Sequence, residues 1–157
     1  MNITWLAALG VATVTASSAA ADNLLASDPT TFSSFFFDQG LPAQLSTSPT
    51  GDPFIEFRYE GEKFPLFFYD CLENEDCLSV QFYTGFELAE PFPLERLNEW
   101  NSGERRFLRA YLTPENNVVH LEMDIATSSD GISARDFNDL LLLWVDRARE
   151  FEAFIAE

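Results

Sequence analysis

Hydrophobic and polar side chains alternate along the middle of the chain, a pattern that predicts β-strands. Apolar residues recur at every second position in four segments, namely 54–59, 78–83, 106–112 and 118–125. A fifth segment, 64–69, follows a short turn and is expected to pair with the first as a hairpin. Because period-two alternation separates apolar and polar residues onto opposite faces, we expect an antiparallel sheet with one buried face.

Two details of these strands carry specific expectations about what the sheet buries. In 78–83, the alternation directs Leu78, Val80 and Phe82 toward the core. Pro65 has no backbone N–H, which favours a position in the first residues of a strand or at a sheet edge.

Three other segments have the apolar spacing of helices. Residues 29–39 follow Asp28, an N-cap residue, begin with a proline and end before a glycine. Residues 93–101 and 137–155 place their large apolar side chains on one side of a helix. The order of elements is then helix, three strands, helix, two strands, helix. This order predicts an α+β fold with helices packed on one face of a sheet of about five antiparallel strands.

The first residues of the chain lack this globular pattern. Residues 3–14 are apolar apart from two threonines, and this run is too short to cross ~30 Å of hydrocarbon as a helix. Ala19-Ala20-Ala21 fits a signal peptidase site, although no Lys or Arg precedes the apolar run. We therefore expect residues 1–21 to be a cleaved signal peptide and residues 22–157 to form a single domain. A core helix or a retained membrane anchor is the alternative.

The charge pattern narrows the range of partners. The formal net charge is −17, and the first 21 residues carry no charged side chain, so the whole charge lies on residues 22–157. Such a field repels nucleic acid and anionic lipid, and we expect neither nucleic-acid binding nor membrane binding after signal cleavage. The 16 phenylalanines indicate an aromatic core under this acidic surface, which would attract cations or basic partners.

Cys71 and Cys77 are the two cysteines of the chain, and both lie in its exported part. A close, even pair in an oxidising compartment indicates a local disulfide, worth about 2 kcal/mol for so short a loop. A redox-active pair would more usually be C-x-x-C, and a metal site would need more ligands than His120, the single histidine, could add. We expect the disulfide, at the turn between two neighbouring strands, and a periplasmic or secreted protein.

Candidate catalytic residues are few. His120 lies in the polar phase of a predicted strand with Glu122 and Asp124, where an exposed cross-strand role is more usual than general-base chemistry. Two carboxylates about 7 Å apart on one strand face could serve a glycosidase, but one such pair among 26 acids is weak evidence. The sequence contains no phosphate-binding glycine motif, H-E-x-x-H or G-x-S-x-G. We expect no catalytic residue, no metal site and no cofactor.

An interaction surface is a separate hypothesis. Arg109 alternates with Phe107 and Tyr111, and Arg58 lies beside Tyr59. Arginine and aromatic residues dominate binding hot spots, so Arg58, Phe107, Arg109 and Tyr111 would form a peptide-binding surface if that sheet face were uncovered. In the alternative interpretation, the arginine stems cover the aromatic rings and pair with surface acids.

The chain resembles the YbjN domain family over residues 28–156. The resemblance is carried by the segments 51–56, 67–71, 78–83, 97–101, 106–112 and 121–124, and by the terminal helix. Its most specific part is Asn-x-Trp-Asn at 98–101, followed by Arg-Phe-x-Arg-Ala-Tyr-Leu at 106–112. The resemblance implies a fold similar to type III secretion chaperones and a regulatory role without an established enzymatic activity.

From these observations we expect an exported, non-enzymatic interaction or regulatory module that binds a protein or peptide partner. Chaperone-like folds of this kind often dimerise, so a homodimer is part of the expectation. A periplasmic sensor of small molecules or cations, using the acidic surface, is the alternative function.

Overall fold

The computed structural model describes residues 23–103, 105–113 and 117–157. The predicted signal peptide, residues 1–21, lies outside the described residues. Over the described ranges, the helices are α1 (Pro29–Asp38), α2 (Leu94–Ser102) and α3 (Ala134–Ala156). The strands are β1 (Asn23–Leu24), β2 (Ala43–Thr47), β3 (Pro53–Tyr59), β4 (Glu62–Tyr69), β5 (Ser79–Glu87), β6 (Leu108–Thr113), β7 (Val118–Ala126) and β8 (Ile132–Ser133).

The strands form a six-stranded antiparallel sheet in the order β2-β3-β4-β5-β7-β6 and a two-stranded sheet of β1 with β8. The predicted α+β fold is confirmed, and its helices and five strands all occur in the predicted order. The prediction missed the three remaining strands, β1, β2 and β8. β2 reads Ala-Gln-Leu-Ser-Thr and lies largely exposed at a sheet edge, so burial imposes no strong alternation on its sequence.

The helices begin where the sequence provides caps. The side chain of Asp28 accepts a hydrogen bond from the backbone N–H of Thr30, and Ser133 accepts one from the N–H of Asp136. Each bond satisfies one of the amide donors that the first turn of a helix leaves unpaired. None of the helices in the described part of the chain is long and apolar enough to cross a membrane.

Aromatic rings join the helices to one face of the sheet. Phe36 of α1 stacks on Phe57 of β3 with ring centroids 4.7 Å apart. Phe82 of β5 stacks between Phe137 and Trp144 of α3, with centroids 5.5 and 5.6 Å away. α2 joins this layer through Trp100, whose ring lies 4.7 Å from that of Phe151 in α3. The predicted aromatic core is therefore a single layer between the sheet and its helices.

Two detailed expectations were wrong. Leu78 lies before β5 and is 45 % exposed, because the strand begins only at Ser79. Pro65 lies inside β4, an interior strand, rather than at a strand start or a sheet edge. The described pairing of β4 with β5 runs only from Leu66 to Tyr69. The pairing stops beside the residue that has no N–H to donate.

The disulfide between Cys71 and Cys77 is confirmed. It closes the connection from β4 to β5, two neighbouring antiparallel strands, as predicted. Cys77 is buried and belongs to the core, whereas the residues between the two cysteines are exposed.

The Asn-x-Trp-Asn segment joins the core to one edge of the sheet. Trp100 is buried against α3, and the next residue, Asn101, reaches the edge strand β6. The Asn101 side chain accepts a hydrogen bond of 2.8 Å from the N–H of Ala110 and donates one of 2.9 Å to its carbonyl oxygen. The amide thus occupies backbone groups that a further strand would otherwise use.

Candidate functional site

In the described part of the chain, the three helices pack against one face of the six-stranded sheet. We call the opposite face the open face. It presents the residues that alternate with the core positions, such as Phe67 between the buried Leu66 and Phe68. In β7 the same alternation directs Leu121 and Met123 to the core and the polar residues to the open face.

A continuous row of rings crosses the open face from β3 to β6. We call this row, made of Phe54, Phe67, Tyr83, His120 and Tyr111, the aromatic strip. Consecutive ring centroids lie 5.8, 5.7, 5.5 and 4.7 Å apart. Each ring comes from a different strand, so only the order β3-β4-β5-β7-β6 brings them into one row.

A buried carboxylate lies beside this strip. Glu122 is only 5 % exposed although it belongs to the open face. The hydroxyl of Tyr111 donates to its Oε1 at 2.6 Å, and Nε and Nη2 of Arg109 contact Oε2 at 2.8 and 2.7 Å. Arg109 lies directly opposite Glu122 in the β6–β7 register, which places the guanidinium over the carboxylate. A buried charge is tolerated when it is paired in this way.

The tyrosines of the open face stay protonated at neutral pH. Burial raises the pKa of Tyr111, and its hydrogen bond to the Glu122 carboxylate raises it further. Burial also raises the pKa of Tyr83, with the negative charge of Glu122 adding to the effect. Their hydroxyls are therefore neutral hydrogen-bond donors, held in place by partners in the sheet.

His120 is less exposed than the sequence suggested. Its Nδ1 is hydrogen-bonded to the hydroxyl of Tyr83 at 2.6 Å and its Nε2 to Oγ1 of Thr113 at 2.9 Å. Gly85 lies opposite His120 in the β5–β7 register, and a Cβ there would come 3.0 Å from the Tyr83 hydroxyl oxygen. Burial lowers the pKa of His120, and the nearby Glu122 opposes this effect.

We expect acidification to weaken the fold through His120. Its pKa in the folded state lies below the ordinary value of 6.5, so the unfolded chain takes up the proton first. The free energy of unfolding therefore falls as the pH drops below about 6.5 and levels off once the folded-state pKa is passed. Urea denaturation of the wild type and of His120→Gln between about pH 7.5 and about pH 5, a range that spans the ordinary histidine pKa, measures this.

In His120→Gln the pH dependence over this window should be shallower, because the titrating ring is gone. If the free energy of unfolding depended on pH equally in the two proteins, the surroundings of His120, including Tyr83 and Thr113, would not favour the neutral imidazole.

A shallow depression of about 500 Å³ opens next to the buried carboxylate. Its rim includes Tyr69, Asp70 and Asp124, and its floor includes Gln81 and Glu122. Gln81 donates to Oδ1 of Asp124 at 2.6 Å. His120 does not line the depression, so the histidine and the two carboxylates of β7 do not converge on one point.

The four residues of the predicted interaction surface are not brought together. Arg109 and Tyr111 lie side by side on the open face, with the guanidinium 5.9 Å from the ring centre. Phe107 precedes β6, has a φ of +72° and is 61 % exposed. Arg58 belongs to β3, and the three strands between β3 and β6 separate it from Arg109 by about 19 Å.

Sequence reasoning missed the rest of the aromatic strip. Phe54, Phe67 and Tyr83 read as ordinary strand residues. Their strands were expected to be neighbours, but nothing local in the sequence shows that β7 follows β5, which joins these rings to those of His120 and Tyr111. The only available signal was the phase of the alternation, which directs Phe67 and Tyr83 away from the side of Leu66 and Phe82. Among the residues that the structure describes, no three His, Cys, Asp or Glu side chains are grouped so that they could hold a metal ion.

Comparison with known proteins places the chain in one family. The sequence model of YbjN, described as "Putative bacterial sensory transduction regulator", matches residues 28–157. No curated protein and no solved structure matches the chain. The likeness to type III secretion chaperones therefore stays a prediction.

Proposed function

The chain belongs to the YbjN family, and from that premise we propose that it is an exported regulatory module that binds a protein partner through its open face. The family supports a regulatory or interaction role in general. The observation that carries the proposal is the aromatic strip, which crosses a sheet face that no helix of the described residues covers.

The open face is organised before any partner arrives. Tyr111 and Arg109 are held by Glu122, and Tyr83 is held by His120. Tyrosine and arginine are enriched in binding hot spots, and side chains that are already ordered lose less entropy on association. This favours recognition of a protein segment that lies across the strands.

Charge favours a partner segment with a basic side chain. Asp70, Glu122 and Asp124 line the depression together with Arg109, which pairs with Glu122 and lies 3.8 Å from Asp124. Three carboxylates against one guanidinium leave the depression with a net negative charge. The net charge of −17 also attracts basic surfaces at a distance. We propose that a Lys or Arg of the partner enters the depression while its apolar neighbours contact the aromatic strip.

Export is supported by two features. A disulfide between Cys71 and Cys77 is characteristic of proteins that work in an oxidising compartment. Cleavage after Ala21 would leave every described element in place, since β1 begins at Asn23 and packing begins at Leu24. The mass of the protein recovered from a bacterial periplasm tests this, and a mass equal to the full sequence would contradict cleavage.

Site-specific cross-linking tests the open face. A photoreactive amino acid replaces Phe67 on the open face or Leu142 on the helical side, and the exported protein is irradiated in cells. We expect partner adducts from position 67 and none from position 142. Adducts of equal yield from both positions, or affinity capture that returns no partner, would count against the proposal.

A charge-reversal pair tests the chemistry of the partner. Asp124→Lys places a positive charge at the depression, and Asp146→Lys makes the same change at an exposed position of α3. We expect Asp124→Lys to weaken partner binding about tenfold or more, because like charges then face each other, and Asp146→Lys to have a much smaller effect. Equal weakening would point to general electrostatic attraction only.

A sensor of small molecules or cations is the second candidate function. The observation that favours it is the depression itself, a concave site with Asp70 and Asp124 at its rim. A thermal-shift screen with divalent cations and cationic metabolites tests it. A rise in melting temperature that Asp124→Lys abolishes would favour the sensor.

We include no catalytic step in the proposal. His120 is bonded to Tyr83 and Thr113, and Glu122 is bonded to Arg109 and Tyr111, so neither group is directed at the depression as a free acid or base.

A further inference from the structure

The two edges of the six-stranded sheet differ in how their backbone groups are used. At the β6 edge, the side chain of Asn101 occupies the outward N–H and C=O of Ala110. At the β2 edge, no group of the described residues bonds to the backbone of Ala43, Leu45 or Thr47 from outside the sheet. A side chain therefore occupies the central outward position of the β6 edge, whereas the described residues leave all three outward positions of β2 free.

The alternation of the ladder shows which β2 groups are free. The N–H of Arg58 donates to the carbonyl oxygen of Pro42 at 2.8 Å, so these two residues form a hydrogen-bonded pair. Bonded and outward positions alternate along an antiparallel strand. Gln44 and Ser46 therefore face β3, and Ala43, Leu45 and Thr47 direct their N–H and C=O groups outward.

Charge, the usual protection of an exposed edge, is missing from β2. Residues 40–51 contain no charged side chain, in a protein whose formal net charge is −17. Lysine or inward-pointing charges normally prevent strands from adding to an edge. Leu45 is 40 % exposed, and Phe37, in the last turn of the helix that packs against β2, is 82 % exposed. This edge is thus an uncharged, partly apolar segment of an acidic surface.

We propose that two copies of the chain pair through β2. The strands run antiparallel, with the two-fold axis at Leu45, so that Ala43 of one copy lies opposite Thr47 of the other. All three outward-facing residues of each strand then meet outward-facing residues, and every free N–H finds a carbonyl oxygen. The two sheets become one continuous sheet with an isologous interface.

The second copy fits this edge better than an unrelated strand would. Two chains of charge −17 repel each other, and they can approach most closely where neither carries a charge. Pro42 and Pro49 flank the strand and confine regular pairing to the segment between them. Pairing centred on Leu45 also brings the two exposed leucines together and removes apolar surface from water.

Sedimentation equilibrium of residues 22–157 with the disulfide intact tests the proposal. We expect a dimer that tightens as salt is added, because salt screens the repulsion between the acidic chains. Thr47→Pro removes an N–H that no bond within the chain uses, and Leu45→Lys introduces a charge at the axis. The two-fold axis makes each substitution act twice, so we expect about tenfold or greater weakening from each.

Leu142→Lys is the matched control, because Leu142 on α3 is 43 % exposed and receives the same change. It should leave the dimer intact. A wild-type chain that is monomeric throughout the micromolar range, or a dimer that survives both β2 substitutions, would overturn the proposal. A monomer that binds an extended peptide of another protein at this edge, and loses it in Thr47→Pro, would overturn self-pairing and assign the edge to that partner. Neither result depends on the cross-linking at Phe67, which tests the open face alone.

Discussion

Replacement of Phe82 by alanine is expected to lower the free energy of unfolding by about 3–5 kcal/mol. Phe82 is fully buried in the middle of the sheet. Its ring stacks on Phe137 and Trp144 and lies 5.9 Å from that of Phe57. Rigid rings on all these sides cannot collapse into the space that the phenyl group leaves, so the cost of the cavity adds to the lost burial.

Urea denaturation followed by tryptophan fluorescence measures this loss, since Trp144 reports on the same cluster. Phe107→Ala is the control, because it is the same substitution at a side chain that is 61 % exposed. We expect it to change the free energy of unfolding by no more than about 0.5 kcal/mol. Similar losses in the two variants would contradict the layer of rings between sheet and helices.

Arg109→Leu is expected to cost about 2–3 kcal/mol, because it leaves the Glu122 carboxylate buried without its guanidinium. Glu122→Leu should cost less, since the Arg109 side chain is 62 % exposed and its charge can return to water. The double variant should be close to Glu122→Leu alone. A buried charge without its partner is costly, whereas removing both charges leaves nothing unpaired.

A double-mutant cycle in urea, at one pH and one salt concentration, measures the coupling between the two residues. Arg58→Leu is the control for loss of an arginine from the same sheet face, because Arg58 is exposed and its contact with the Gly61 carbonyl is long, at 3.4 Å. Additive losses from Arg109→Leu and Glu122→Leu would show that the pair does not act as a unit.

Arg109→Leu and Asp124→Lys together distinguish the contribution of the open face to stability from its contribution to partner binding. Arg109→Leu changes stability and the partner surface together. Asp124→Lys changes a rim charge and also removes the acceptor of the buried Gln81 side chain, so we expect it to lower the free energy of unfolding by a smaller amount, about 1 kcal/mol. Loss of partner binding in both variants, with the larger loss of stability in Arg109→Leu, is the expected pattern if the buried pair supports a binding face.

The sequence was sufficient to predict those features that depend only on residues close together along the chain. Alternation along β7 identified Leu121 and Met123 as core residues, because successive side chains of a strand point to opposite faces whatever lies beside it. Asp28 identified the start of α1, because a cap bonds within its own first turn. Cys71 and Cys77 are close along the chain, so their pairing needed only the turn between two strands.

The tertiary structure alone decided that β7 lies between β5 and β6, and the candidate site depends on that order. β5 pairs with β7 rather than with β6, which places Tyr83 beside His120 and completes the aromatic strip. Glu122 looked like one surface acid among 26, and only its burial under Arg109 and Tyr111 distinguishes it. The free edge at β2 could not be predicted from the sequence either, since an edge is a property of the assembled sheet. Side-chain direction follows from the backbone of one strand, whereas strand order follows from the packing of the whole chain.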